Sequence, residues 1–105
     1  SKPFFARVVV RGSTGKPLAL RGLFDSRSMA CLISHEWQQT NANDLGELKP
    51  SQRRLQLADG HVGPSLGEWR GDLAVQASVG KISAEIYPSG SSWDILIGKP
   101  WFVSR

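Results

Sequence analysis

Apolar residues in this 105-residue chain come in short runs broken by turn clusters, and that pattern restricts it to a strand-rich fold. "FFARVVVR", Phe4 to Arg11, is rich in aromatic and β-branched residues. The turn cluster "GSTGKP", Gly12 to Pro17, leads into "LALRGLFD", which predicts a hairpin whose second strand feeds Asp25. Ser34 is placed to cap a short helix opening "HEWQQ", with Glu36 near the positive end of the helix dipole, and the polar "TNANDLGE" stretch ends that helix or loops it out. Leu55 and Leu57 share one face. After them "ADGHVGPSLGEW" sets three glycines and a proline between strand-like flanks, the composition of a hairpin tip or broad loop.

"DLAVQASVGKISAEIYP" reads as two further strands around Gly80. Ile82, Ala84 and Ile86 face one way, and Ser83, Glu85 and Tyr87 the other, as in a half-buried strand. "DILIG" does not alternate, which predicts a strand covered on both faces, and Gly98 ends it. "KPWFVSR" then opens a helix with Pro100 in its first turn. The order of elements is that of an all-β barrel-like or sandwich domain with one or two short helices.

The length suits one compact domain over residues 1–105 and is too short for two. No run of about 18 apolar residues exists, and "SKPFFARVVV" has the wrong length and flanks for a signal peptide, so the chain reads as soluble with no membrane partner. A formal charge of +4 raises the question of a polyanion, but the 13 Lys and Arg residues are dispersed, with Arg53-Arg54 the one adjacent pair. With no ribonucleoprotein, zinc or helix-turn-helix signature beside that charge, nucleic acid is not expected as a partner. The single cysteine, Cys31, lies in the apolar run "MACLI" and reads as a buried core thiol in a reducing, cytoplasmic compartment.

Cys31 therefore lacks the exposure a nucleophile needs. The two histidines, His35 and His61, sit in no ligand-spaced motif, so no metal or other cofactor is expected. Asp25 is different. It stands between two apolar segments, in "LFDSRSMACLIS", where an ionised carboxylate is costly without partners. On local chemistry alone an Asp-Ser pair is also a common turn former.

The succession of that segment, then "LQLADGHVGPSLGEW", a strand pair and finally "DILIGKPWF" resembles the retropepsin-like aspartic proteases, above all those of gypsy-type long-terminal-repeat retroelements and proteins derived from them. The resemblance runs from about Val8 to Phe102. It implies a closed acid-protease barrel with Asp25 as catalytic aspartate, Ser26 as the hydroxyl that braces the loops across a dimer, and Ile97 and Gly98 as support beneath the loop. It also implies a flap over roughly Leu57 to Trp69, with Asp59, Gly60, His61 and Val62 facing substrate. Hydrolysis by two carboxylates needs both close enough to share a proton, and this chain has one such motif, so the implied enzyme is a homodimer acting on a peptide or polyprotein.

Two features depart from that pattern. Arg27 stands where the family has glycine, and a guanidinium there crowds the dimer axis and opposes a shared-proton pair unless it points to solvent. The family's terminal strand has no counterpart before Arg105, which suggests a segment cut from a longer polyprotein or a dimer held by other contacts. The alternative to an aspartic endopeptidase is an inactive protease-fold module that binds peptides or dimerises, and a plain structural domain is the third reading.

Overall fold

The computed structural model describes residues 4–57, 60–88 and 92–103. The strands are β1 (Phe4–Arg11), β2 (Pro17–Phe24), β3 (Cys31–Ser34), β4 (Arg54–Gln56), β5 (Val62–Pro64), β6 (Glu68–Val75), β7 (Ser78–Tyr87) and β8 (Ile95–Ile97). Three short helices join them: α1 (His35–Thr40), α2 (Ala42–Leu45) and α3 (Lys99–Val103). Six strands close into a barrel in the order β1-β2-β8-β3-β7-β6, and β4 and β5 form a separate two-stranded hairpin.

The hairpin β1–β2 forms where the sequence places it, with Val8 opposite Leu20 and Val10 opposite Leu18. These side chains point inward at alternate positions and are almost fully buried. The barrel interior is filled by Val8, Val10, Ile33, Trp69, Leu73, Ile86, Ile95 and Ile97, each at most 1% exposed. Burying one such side chain stabilises the fold by roughly 1.5–3 kcal/mol. Cys31 belongs to the same cluster, as its apolar run implied.

The short strand β8 is covered on both sides. Ile95 and Ile97 enter the main core, while Leu96 packs on a second, smaller cluster of Leu32, Leu55, Tyr87 and Trp93. This second cluster also alters the reading of β7. Ser83 is exposed as alternation predicts, but Glu85 and Tyr87 on the same face are buried at 3% and 5%, because the segment leading into β4 and the aromatic Trp93 lie over them.

Two local expectations need correction. The β6–β7 turn falls at Gln76 and Ala77, with Val75 opposite Ser78, and Gly80 lies inside β7. Gln76 takes φ 54°, a conformation that tight two-residue hairpin turns require and that glutamine does not advertise. The stretch after α1 also makes a second helical turn, α2, which drives Leu45 into the core and places its carbonyl where Trp69 Nε1 donates to it at 2.9 Å. Ser34 caps α1 as expected, accepting from the Trp37 N–H at 3.5 Å.

Candidate active site

Asp25 follows directly on β2, in a loop that the chain ties down from below. Its main-chain N–H donates to the Ile97 carbonyl at 3.0 Å, and its own carbonyl accepts from the Ser28 N–H at 3.1 Å. The Asp25 Oδ1 atom accepts from the Arg27 N–H at 3.0 Å, closing a tight aspartate turn. The second carboxylate oxygen has no partner among the described residues.

Beneath this turn, the Lys99 N–H donates to the Ser28 carbonyl at 2.8 Å, and the Gly98 N–H reaches Cys31 Sγ at 3.4 Å. Gly98 is a close-packing glycine. A Cβ there would sit 2.3 Å from the Ala30 carbonyl oxygen and 2.8 Å from that of Ser28. Burial pushes the Cys31 thiol up from its ordinary pKa, against weaker opposing hydrogen bonds from the Gly98 and Trp101 main chains. The thiol is thus a neutral packing group under the loop.

An open groove of about 590 Å³ runs past Asp25. Its walls are Arg27 and Ser28 of the loop, Leu32 and Leu96 of the barrel, Gln56 and Leu57 of the hairpin, and the Tyr87–Trp93 ring pair at 5.3 Å. One carboxylate therefore faces an otherwise largely apolar trough bordered by a hairpin. That geometry suits an extended chain with bulky apolar side chains.

Arg27 is accommodated without backbone strain. Among the described residues the positive-φ positions are Gln76 and four glycines, and Arg27 is not one of them. Its side chain is 93% exposed, and its Nε lies 4.0 Å from Asp25 Oδ1, beside a carboxylate side chain that is itself 38% exposed. Water screens such a pair strongly.

The solved structures most useful for comparison are three. The retroviral protease-like domain of Ddi1 from Leishmania major matches with a TM-score of 0.67 at 7% identity, over 99% of this chain and 76% of that one. A retropepsin-like aspartic protease from Rickettsia conorii matches with a TM-score of 0.56 at 15% identity, over 93% of this chain and 80% of that one. The fold is retropepsin-like. A Legionella pneumophila protein of unknown function shares this retropepsin-like architecture with a TM-score of 0.56 at 9% identity, over 95% of this chain and 84% of that one. No family model matches the sequence, and no curated protein is significantly similar to it.

Within this fold the residues singled out from sequence divide into two groups. Asp25, Ser26, Arg27, Ile97 and Gly98 come together at one loop and its support. Ser26 is exposed, and its hydroxyl has no partner among the described residues. Gly60, His61 and Val62 lie on the β4–β5 hairpin beside the wall residues Gln56 and Leu57 without lining the groove themselves, and Asp59 falls outside the described residues. The hairpin spans Arg54 to Pro64, closed by Leu57 N–H to His61 carbonyl and Gly60 N–H to Leu57 carbonyl contacts at 2.7 and 2.9 Å. It begins before Leu57 and ends before Trp69, which is a core residue of β6.

Sequence reasoning named Arg27 and Leu57 but missed the groove walls made by Leu32, Gln56, Tyr87, Trp93 and Leu96. Tyr87 and Trp93 flank a Gly-Ser stretch and gave one usable signal, two aromatics closing a loop. Asp94 Oδ2 accepts from the Arg21 main-chain N–H at 2.8 Å, while its N–H and carbonyl join β2 to β3.

Proposed function

We propose that this chain is an aspartic endopeptidase domain acting as a homodimer, in which Asp25 of each subunit meets its copy across a two-fold axis. The observation that carries this reading is the placement of Asp25: a half-exposed carboxylate with one oxygen unengaged, on a loop tied to β8, facing an apolar groove in a retropepsin-like fold. Two such carboxylates share one proton. The ionised member takes a proton from the attacking water while the protonated member supports the carbonyl oxygen of the peptide.

In this reading the exposed Ser26 hydroxyl braces the partner's loop, and the β4–β5 hairpin is a flap that lays Asp59, Gly60, His61 and Val62 over the substrate and excludes water. The domain is a single unit, residues 1–105, of a longer polyprotein of gypsy-type retroelement descent, working in the cytoplasm on peptide or polyprotein segments. A specific observation favours a second reading. Arg27 stands beside Asp25 where the family has glycine, so in a dimer two guanidinium groups would border the carboxylate pair, leaving a groove that binds peptide without cutting it.

Cleavage of a mixed peptide library across acidic to neutral pH decides between them. The expected result is cutting by the protein as it stands, faster cutting by Arg27→Gly and none by Asp25→Asn. Cutting by Arg27→Gly alone identifies a peptidase silenced at one position. A folded dimer that binds peptide in every form and cuts in none gives the second reading precedence.

A further inference from the structure

The outer face of the β1–β2 hairpin carries two arginines directly opposite one another, Arg7 and Arg21. Like charges in that cross-strand relation destabilise a sheet. Among the described residues neither guanidinium forms an ion pair with a carboxylate. The nearest acid in the hydrogen-bond network, Asp94, turns its carboxylate onto the Arg21 main-chain N–H. Arg21 instead stacks its guanidinium over the Phe5 ring, 4.2 Å from the centroid, which holds the fork in place. A shallow depression of about 430 Å³ is lined by the two arginines together with Ala19 and Leu20. Two guanidinium groups without a carboxylate partner among the described residues, one of them held by an aromatic ring, are complementary to carboxylates.

This face is continuous with the groove. Arg21, Leu23 and Asp25 stand at alternate positions, so they follow one side of β2 as it enters the loop. Phe5 and Leu23 are paired in register and belong to the same small apolar cluster as Leu57, Tyr87 and Trp93. The path from Asp25 to Arg21 is about 13 Å, the length of about four residues of extended chain.

We infer that Arg7 and Arg21 form an exosite for acidic side chains of the peptide seated in the groove, about four residues from the position over Asp25. The inference rests on the groove being a peptide site, and it specifies the substrate class: a bulky apolar segment followed or preceded at that spacing by Asp or Glu. Nucleic-acid phosphates share the charge but not the apolar approach through Phe5 and Leu23.

The test uses two labelled peptides with the same apolar centre, one with Asp and Glu at that spacing and one with Asn and Gln there. Their binding is followed by fluorescence anisotropy on Asp25→Asn protein. The acidic peptide is expected to bind about tenfold more tightly at low salt, the sum of two exposed charge pairs, and the Arg7→Gln/Arg21→Gln variant to lose that preference while holding the neutral peptide unchanged. Equal binding of the two peptides, or a preference that survives the double substitution, overturns the exosite. A single-stranded oligonucleotide that binds the arginines more tightly than the acidic peptide overturns the choice of ligand. A short acidic peptide without the apolar centre, followed through the Arg Nε–H NMR signals, separates this inference from the peptidase reading. Shifts of the Arg7 and Arg21 signals without cleavage of any peptide sustain the exosite and defeat the enzyme. Cleavage that ignores acidic residues does the reverse.

Discussion

The barrel core and the cluster beneath the groove are built from similar residues to opposite ends. In the barrel, Val8, Val10, Ile33, Leu73, Ile95 and Ile97 are sealed from water by strands that close on themselves. Under the groove, Leu32, Leu55, Tyr87 and Trp93 keep 5–9% of their surface exposed and lean on half-buried Leu23, Leu57 and Leu96. The first arrangement makes stability. The second leaves an apolar surface one layer short of cover, which is what a binding trough requires.

The sharpest way to break this contrast is to empty the barrel. Trp69→Ala removes a 1%-exposed indole together with its hydrogen bond to the Leu45 carbonyl, and is expected to cost about 3–5 kcal/mol in chemical denaturation. A loss as small as that of a surface substitution would mean that the barrel is not the stabilising unit. Next in size is Gly98→Ala, whose methyl group collides with the Ala30 and Ser28 carbonyls. It should cost about 1–3 kcal/mol as overpacking, and it should displace the Asp25 loop enough to abolish whatever peptide binding or cleavage the protein has. Unaltered function in a folded Gly98→Ala protein would remove β8 from the support of the loop.

Trp93→Ala tests the other half of the comparison. The groove can close over the gap, so the stability loss is expected near the low end of large-to-small substitutions, about 2 kcal/mol, while peptide affinity falls more than tenfold. Equal penalties in stability and binding would erase the distinction between the two clusters. The smallest effect concerns Glu68 on the barrel's outer surface. Its carboxyl is held below the usual carboxylate range, first by the Ser83 hydroxyl at 2.7 Å and further by Arg70 at 3.0 Å. A depressed folded-state pKa contributes stability above the unfolded value, about 4.3, and loses it as pH falls through the folded value. Thermal melts from pH 6 to pH 3 should therefore fall more steeply for the parent than for Glu68→Gln. Parallel curves would show that the contact is silent.

How far the molecule could be read from its sequence follows the range of the interactions involved. The β1–β2 hairpin, the Ser34 cap, the buried Cys31 and the doubly covered β8 are set by residues close together in the chain, and periodicity or turn chemistry displays them. The turn at Gln76 was not legible because glutamine carries no preference for positive φ, and the β6–β7 register imposes it from outside. Burial of Glu85 and Tyr87 was hidden for a related reason. Their cover arrives from Ser51 and Trp93, and no local pattern on β7 announces it. At the site, Asp25 and Gly98 stood out through the order of motifs, whereas the walls that shape the groove are gathered from the loop, both sheets and the Trp93 segment.

β8 is the last strand among the described residues, yet it lies between β2 and β3. Arg21 and Asp94, whose hydrogen bond joins the two ends of that arrangement, are 73 positions apart. Pairings so distant form late, because the loop between them must be closed first. On the ribosome Asp25 is made early, but the Ile97 carbonyl and the Gly98 close contact that fix its turn arrive only once β8 and the residue after it have been made. Until then the Asp25 turn lacks both of those contacts. The loop acquires its frame as an event in time, set by the synthesis of β8 and Gly98.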